Sequence, residues 1–376
     1  MISFGPLSIT LLICAVQGLV LAALLWRGNV NRTANRCLTL LIVAVAALMT
    51  PYIIGFAGFY DLFPWLSFAP LSYTLAFGPL LFFYTATLTG ARPVVVWLHF
   101  APVAAQFLAY AAVFPLPLAT KDWWNTVAHE PIIDPALDIA ALVSIVAYSV
   151  AAYQRYRAYR AWLSQNRTDG VDFEPNWIRN FLGALGLIAI IWAGFLIAKW
   201  ADPERDYFDQ FPLYIGFSVL VLYLGIGGWR HSDAPFPRPD ALPDPAELPI
   251  QTASTPAGRD WTAQGSAWLT RIEAEQLWRD PALTLAGLAR IIGTNTTYLS
   301  RGLSAASGEN FNAIINRHRV AELQRMLAAP SEQRDLLTLA FEVGFNSKAS
   351  FNRAFQDFAG MSPSAWRLKS QKSLAA

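Results

Sequence analysis

Leu336-Leu337-Thr338-Leu339-Ala340-Phe341-Glu342-Val343-Gly344-Phe345-Asn346-Ser347-Lys348-Ala349-Ser350-Phe351-Asn352-Arg353-Ala354-Phe355 decides the reading of this chain, because residues 285–303 carry nearly the same pattern. Leu285, Leu288, Ala289, Ile292, Gly293 and Asn295 recur 51 positions later as Leu336, Leu339, Ala340, Val343, Gly344 and Asn346. Past the turn the offset becomes 52, so that Leu299, Arg301, Leu303, Gly308 and Phe311 map to Phe351, Arg353, Phe355, Gly360 and Pro363. The second copy has a turn one residue longer.

Each copy predicts a helix, a turn and a helix. Apolar residues at i, i+3, i+4 and i+7 build one helix face, and the glycine after them permits the left-handed conformation that ends a helix. Asn295 and Asn346 suit the N-cap of the next helix. That helix is expected to bury Leu299 and Leu303 in the first copy, and Phe351, Phe355 and Phe358 in the second. The residues left outward are Thr296, Thr297, Ser300 and Arg301 in one copy, and Ser347, Lys348, Asn352, Arg353 and Gln356 in the other. One such face would be ordinary solvated helix. Two copies with matching arginines suit base edges and phosphates. From Arg259 onward, 14 Lys and Arg stand against 10 Asp and Glu, a net of +4, where the whole chain carries +2. The basicity is local, as a DNA-binding module requires.

Ala340 to Arg367, with Glu342-Val343-Gly344-Phe345, Ser350-Phe351, Arg353, Phe355 and Gly360-Met361-Ser362-Pro363, resembles the second helix-turn-helix of AraC/XylS-type transcription regulators, and Asp280 to Leu327 resembles the first. The likeness covers roughly residues 265 to 368. Thr294 stands where that family usually has a larger apolar residue, and Leu323 where its connecting helix usually has Ala. The resemblance implies an all-α domain whose two recognition helices enter successive major-groove segments on one face of double-stranded DNA, joined by a long helix at about 311–327. By position it assigns DNA contact to Thr296, Thr297, Ser300, Arg301, Lys348, Ala349, Asn352 and Arg353, and a structural ion pair to Arg319. Pairing of two copies on a two-fold operator is the usual habit of such regulators.

The rest of the chain has another character. With 55% hydrophobic residues, 14% charged and a mean hydropathy of +0.34, the composition points away from a soluble protein of this length. Seven apolar stretches, at about 5–26, 37–60, 66–90, 94–118, 136–153, 181–200 and 211–229, each suit a crossing of a hydrocarbon core roughly 30 Å thick. A seven-helix transmembrane bundle over residues 1–230 is the expectation. The first stretch lacks the basic start of a signal peptide and reads as a retained helix. Arg27, Arg32, Arg36, Arg92, Arg155, Arg157, Arg160, Arg167, Arg179 and Arg230 fall on one side, against Lys121, Lys199 and Arg205 on the other. That bias puts the N-terminus outside and the C-terminus in the cytoplasm. Tryptophans at span ends, including Trp26, Trp65, Trp97, Trp123, Trp124, Trp177, Trp200 and Trp229, fit the interfacial belts facing lipid. DNA and membrane in one compartment imply a bacterial inner membrane. Cys14 and Cys37 differ in depth by roughly 18 Å and form no disulfide. Residues 231–258 hold seven prolines and read as an extended linker. A helix from about Asp260 to Trp278 follows, packing Trp268, Ile272 and Leu277 on the first copy.

Two roles for the bundle follow: a sensor of a small-molecule or lipid-like signal, or a transporter or intramembrane enzyme carrying a fused regulatory domain. Enzyme signatures are weak. His129-Glu130 lacks the following His of a metalloprotease helix, Tyr60-Asp61 lacks a second aspartate, and Gly216-Phe217-Ser218 lacks a placed base. No cofactor or metal is expected. Among polar residues inside the spans, Gln17, His99, Gln106 and Asp138 are the sensing candidates, since a polar group in lipid is costly unless it is paired or used. Pro51, Pro70, Pro79 and Pro102 can kink helices and shape a cavity. Gly78-Pro79-Leu80-Leu81-Phe82-Phe83-Tyr84, then Leu88-Thr89-Gly90, is also similar to a segment of membrane-bound members of the AraC group.

Overall fold

A computed structural model describes residues 2–91, 95–201, 211–239, 260–329 and 332–375. The chain divides into two compact units, Met1–Arg157 with Pro175–Pro237, and Ala158–Glu174 with Arg238–Ala376. The described residues are helical throughout, without strands; one isolated bridge joins Arg167 and Thr284 inside the second unit.

The apolar stretches become α1 (Pro6–Trp26), α2 (Arg32–Phe56), the single turn α3 (Phe59–Leu62), α4 (Phe77–Leu88), α5 (Val96–Val113), α6 (Leu118–Trp124), α7 (Asp134–Asn166), α8 (Asn176–Ala201) and α9 (Phe211–Arg230). A π-helical stretch, Asn125–Ile133, links α6 to α7. Six helices are long and apolar enough to cross a membrane, judged by length and composition among the described residues: Pro6–Trp26, Arg32–Phe56, Val96–Val113, Leu118–Asn166, Asn176–Ala201 and Phe211–Arg230. These helices are compatible with a membrane protein.

The third expected stretch, 66–90, is not one span-length helix. Pro64 starts a 3-10 turn, Pro70 cannot donate to a helix ladder, and Phe68 takes a left-handed φ of 63°. Helix formation resumes only near Thr74, giving the shorter apolar run Thr74–Leu88. That run is interior: Phe77, Leu80, Leu81, Phe83 and Tyr84 are all buried. Its first turn needs a glycine, because a Cβ on Gly78 would sit 2.8 Å from the Tyr148 ring and 2.9 Å from the Ser144 carbonyl oxygen. The segment Gly78 to Tyr84 is thus a tight packing element.

Several polar groups in this unit close on backbone carbonyls. The Ser8 hydroxyl donates to the Ile53 carbonyl at 2.7 Å, and the Thr39 hydroxyl to that of Ala22 at 3.2 Å, stitching α1 to α2. Trp177, expected at an interface, is instead buried, stacked on His231 at 4.1 Å and donating to the Tyr84 hydroxyl at 3.1 Å. The start of the expected linker is anchored rather than extended: Asn31 donates to the carbonyls of His231, Ser232 and Ala234, and Phe236 packs on Trp177. Residues 240–258 of that linker lie outside the described residues. Cys14 and Cys37 are free, as expected.

The second unit runs through α10 (Trp261–Ala274), α11 (Leu285–Ile292), α12 (Thr296–Ser307), α13 (Phe311–Leu327), α14 (Leu336–Glu342), α15 (Lys348–Ala359) and α16 (Pro363–Ala375). One core holds it together: Trp268 and Ile272 of α10, Leu288 of α11, Leu299 and Leu303 of α12, Ile314 and Leu323 of α13, Leu339 of α14, and Phe351 and Phe355 of α15. Each such side chain contributes about 1.5–3 kcal/mol by leaving water. Because α13 packs against both pairs, the two helix-turn-helix units share a core and are fixed in spacing.

Phe358 is not in that core. It is 38% exposed, near the end of α15, where the buried stripe has passed to Phe355 and Trp366 of α16 takes the space. Leu323 is fully buried, so the larger side chain is absorbed by the core. Gly293 and Gly344 adopt φ of +80° and +96°, the left-handed stops expected from the pattern. At Gly344 a Cβ would also approach the Arg279 carbonyl oxygen to 2.5 Å.

Candidate DNA-binding surface

The entry of each recognition helix is set by a cap worth about 1 kcal/mol. The Asn295 side chain accepts from the Tyr298 amide at 2.8 Å and starts α12. In the second copy the cap is Ser347, whose hydroxyl accepts from the Ser350 amide at 3.1 Å; Asn346 is not the N-cap. The longer turn explains the correction, since the offset is already 52 at this point and Ser347, not Asn346, is the true counterpart of Asn295.

On α12, Thr297 and Arg301 are exposed and Thr296 and Ser300 half-buried, all on the side away from Leu299 and Leu303. Arg301 lies over the Trp261 ring at 4.9 Å, which steadies a guanidinium without neutralising it. On α15, Lys348, Ala349, Asn352, Arg353 and Gln356 are exposed, while Phe351, Ala354 and Phe355 face the core. Gln356 donates to the Gly360 carbonyl at 3.3 Å, so it finishes its own helix. Two solvent-facing helix faces, each bearing an arginine at the same register, are a geometry for major-groove contact.

Arg319 has the structural role expected of it, through different partners. It is 1% exposed; Nε donates to the Trp278 carbonyl and an Nη to that of Asp280, both at 2.7 Å, and the guanidinium lies 5.6 Å from the Phe345 ring centre. No carboxylate pairs with it among the described residues. Burial pushes its pKa down to about 10, which leaves it cationic at neutral pH. It clasps the segment before α11 to α13, and so fixes the first helix-turn-helix on the connecting helix.

The second recognition helix also meets an acidic turn that sequence reasoning missed. Residues 158–174 belong to this unit and end in a 3-10 turn, Gly170–Phe173. Asn346 donates to the Asp169 carboxylate at 3.1 Å, Ser347 to Asp172 at 2.7 Å, and Arg353 to Glu174 at 3.4 Å. Arg160 shares Glu174 at 3.3 Å, and Arg167 holds Asp169 at 2.6 Å. Burial pushes the Asp172 carboxyl above its usual range and neighbouring Asp169 adds to this, while the Ser347 hydroxyl opposes it. Three carboxylates thus meet the N-terminal half of α15, where DNA would place phosphate and base edges. The signal was present as Asp169, Asp172 and Glu174 within six residues. Nothing in the local spacing ties those acids to α15, which lies more than 170 residues later.

The sensing candidates separate. Gln106 and Asp138 line one cavity of about 770 Å3 in the first unit. His99 does not reach it; its Nδ1 pairs with the Tyr148 hydroxyl at 2.6 Å beside Phe82 and Phe83. Gln17 is exposed on α1. No cluster of His, Cys, Asp or Glu suited to a metal ion occurs among the described residues.

Residues 288–369 match a family model described as a helix-turn-helix domain. The match takes in most of both helix-turn-helix copies and supports a DNA-binding regulator of AraC type. No curated protein and no solved structure matches the chain.

Proposed function

We propose that this chain is a membrane-integral, one-component transcription regulator: a seven-pass bundle in a bacterial inner membrane that senses a signal, and a cytoplasmic double helix-turn-helix domain that binds an operator. The observation that carries the reading is the pairing of two recognition helices on one core with six span-length apolar helices in the same chain. Several features support the finer points. Apolar side chains stand outward along α1, among them Ile9, Ile13, Val16 and Val20, as lipid-facing residues would. Counting the shorter α4 as a seventh pass gives the odd number that keeps the arginine-rich connections and the DNA-binding domain on one side. Because residues 158–174 join two apolar helices yet belong to the DNA-binding unit, the bundle is covalently continuous with the turn that hydrogen-bonds Ser347 and Arg353.

The test is crosslinking of the intact chain to DNA in cells, followed by separation of membranes and sequencing of the DNA retained there. Discrete sites in the membrane fraction, lost on Arg301→Ala with Arg353→Ala, are the expected result. A protein recovered in membranes with no discrete sites would remove the regulator reading, and one found wholly in the soluble fraction would remove the membrane reading.

A further inference from the structure

The cavity holding Gln106 and Asp138 is built by the ends of helices that share one face of the first unit: the C-terminal parts of α2, α5 and α8, and the N-terminal parts of α7 and α9. Arginines lie toward the other ends, at Arg32 of α2, Arg155 and Arg157 of α7, Arg179 of α8 and Arg230 of α9. Given the orientation proposed above, the cavity belongs to the outer half of the bundle. Its volume, about 770 Å3, falls among sites for drug-sized ligands.

Its chemistry is lopsided. Lys199 Nζ is 2.8 Å from the Asp134 carboxylate, so those two charges answer each other. His129 is held by the Tyr110 hydroxyl at 3.0 Å and the Asn125 side chain at 3.1 Å. Asp138 and Glu130, which also line the cavity, have no ion-pair partner among the described residues. Gln106 is 4% exposed and its Nε2 reaches the Thr74 hydroxyl at 3.5 Å, while its Oε1 is buried without a donor. An orphaned acceptor of this kind is costly unless something donates to it. The walls are aromatic, with Trp192 and Phe217 each 4% exposed. Aromatic faces, carboxylates in excess and a waiting acceptor are together the recognition chemistry of an ammonium group on an apolar body.

We infer that this cavity binds an organic amine, with its ammonium at Asp138, an N–H donated to Gln106 Oε1 and its apolar part against Trp192 and Phe217. The inference rests on the sensor reading, since it names the class of signal. An anion is disfavoured by the surplus of carboxylate, and a purely apolar ligand would leave Gln106 Oε1 unpaired.

The experiment uses the full chain in lipid nanodiscs, with primary amines from n-hexylamine to 2-phenylethylamine, and with 3-phenylpropionate and 3-phenylpropanol as charge-changed controls. Binding is read as a saturable shift in thermal unfolding and in tryptophan emission. At least one amine is expected to saturate while the carboxylate and alcohol do not, and Asp138→Asn and Gln106→Leu should weaken it at least tenfold. Gln17→Leu, on the exposed face of α1, should leave it unchanged. Equal responses to amine, acid and alcohol, or no saturable response to any amine, would overturn the proposal; these comparisons need only the unaltered chain. Operator occupancy is measured in the same samples. Saturable amine binding with unaltered occupancy would uphold the site and remove the sensor reading instead.

Discussion

The acidic turn and an operator would use the same atoms of α15, so loosening the turn should tighten DNA binding. The perturbation is Asp172→Asn with Glu174→Gln, which keeps side-chain volume and the backbone of the turn while removing the charges that meet Ser347 and Arg353. The magnitude follows from exposure and distance. Arg353 is 43% exposed and its contact to Glu174 is a long 3.4 Å, so this pair is worth about 0.2–1 kcal/mol. The Ser347 to Asp172 bond is shorter, at 2.7 Å, but it lies at the surface and belongs in about the same range. Together they bias the unit toward the engaged turn by about 1 kcal/mol, and relief of that bias raises apparent affinity roughly fivefold.

The assay is fluorescence anisotropy of the full chain in nanodiscs on an operator recovered by crosslinking, repeated across salt. Screening weakens exposed pairs, so the gain should shrink as salt rises. A generic charge effect is controlled by Asp357→Asn, an exposed acid on the same helix that makes none of the three bonds to the turn. Equal or weaker operator affinity in the double variant, or a gain matched charge for charge by Asp357→Asn, would refute competition between turn and DNA.

Further outcomes are expected elsewhere in the second unit. Arg353→Ala and Lys348→Ala should each weaken operator binding, by about 1–3 kcal/mol where the contact is to a base, with membrane insertion unchanged; footprinting and membrane fractionation check both. Gly265→Ala should destabilise the unit by about 1–3 kcal/mol, because a Cβ there meets the Gly302 carbonyl where α10 crosses α12, and thermal unfolding would show it. Burial lowers the His318 pKa from the usual 6.5, with Arg317 adding to this and Glu273 and Glu309 opposing. Its neutral form is therefore favoured in the folded state, giving stability that is present above the ordinary imidazole pKa and lost as pH falls through the folded value. Amide exchange over 311–327, corrected for intrinsic rates, should show less protection at acid pH, and His318→Gln should flatten that dependence.

What the sequence made plain is what repeats or alternates. The recognition helices and the glycine stops were legible because each rests on local spacing that tolerates few alternatives, while the connecting helix at 311–327 followed from the resemblance to AraC/XylS-type regulators. The N-cap of α15 was misassigned by one residue, since the inserted turn residue falls between Gly344 and Ser347 and either neighbour is a good cap by type. The third apolar stretch forms a shorter helix than its hydropathy suggests, for a different reason. Hydropathy registers composition, whereas Pro64, Pro70 and the positive φ of Phe68 interrupt the hydrogen-bond ladder without making the segment polar. The sensing candidates divided because position along an apolar helix says little about azimuth: Gln106 and Asp138 line one cavity while Gln17 is exposed on α1.

The two helix-turn-helix copies have diverged where an operator would be read, and the divergence is functional in direction. Arg301 rests over Trp261, an arrangement that holds the cation in place but leaves its charge available to a phosphate. Arg353, its counterpart, rests against Glu174, which already occupies the charge. Ser347 repeats the asymmetry: it caps α15 as Asn295 caps α12, and in addition donates to Asp172. Contact of DNA with α12 would displace no carboxylate, whereas contact with Arg353 and Ser347 of α15 would compete with Glu174 and Asp172. If the turn competes with DNA, its effect falls on α15 alone, and a variant that silences α12 should lower affinity without altering the response to the acidic turn.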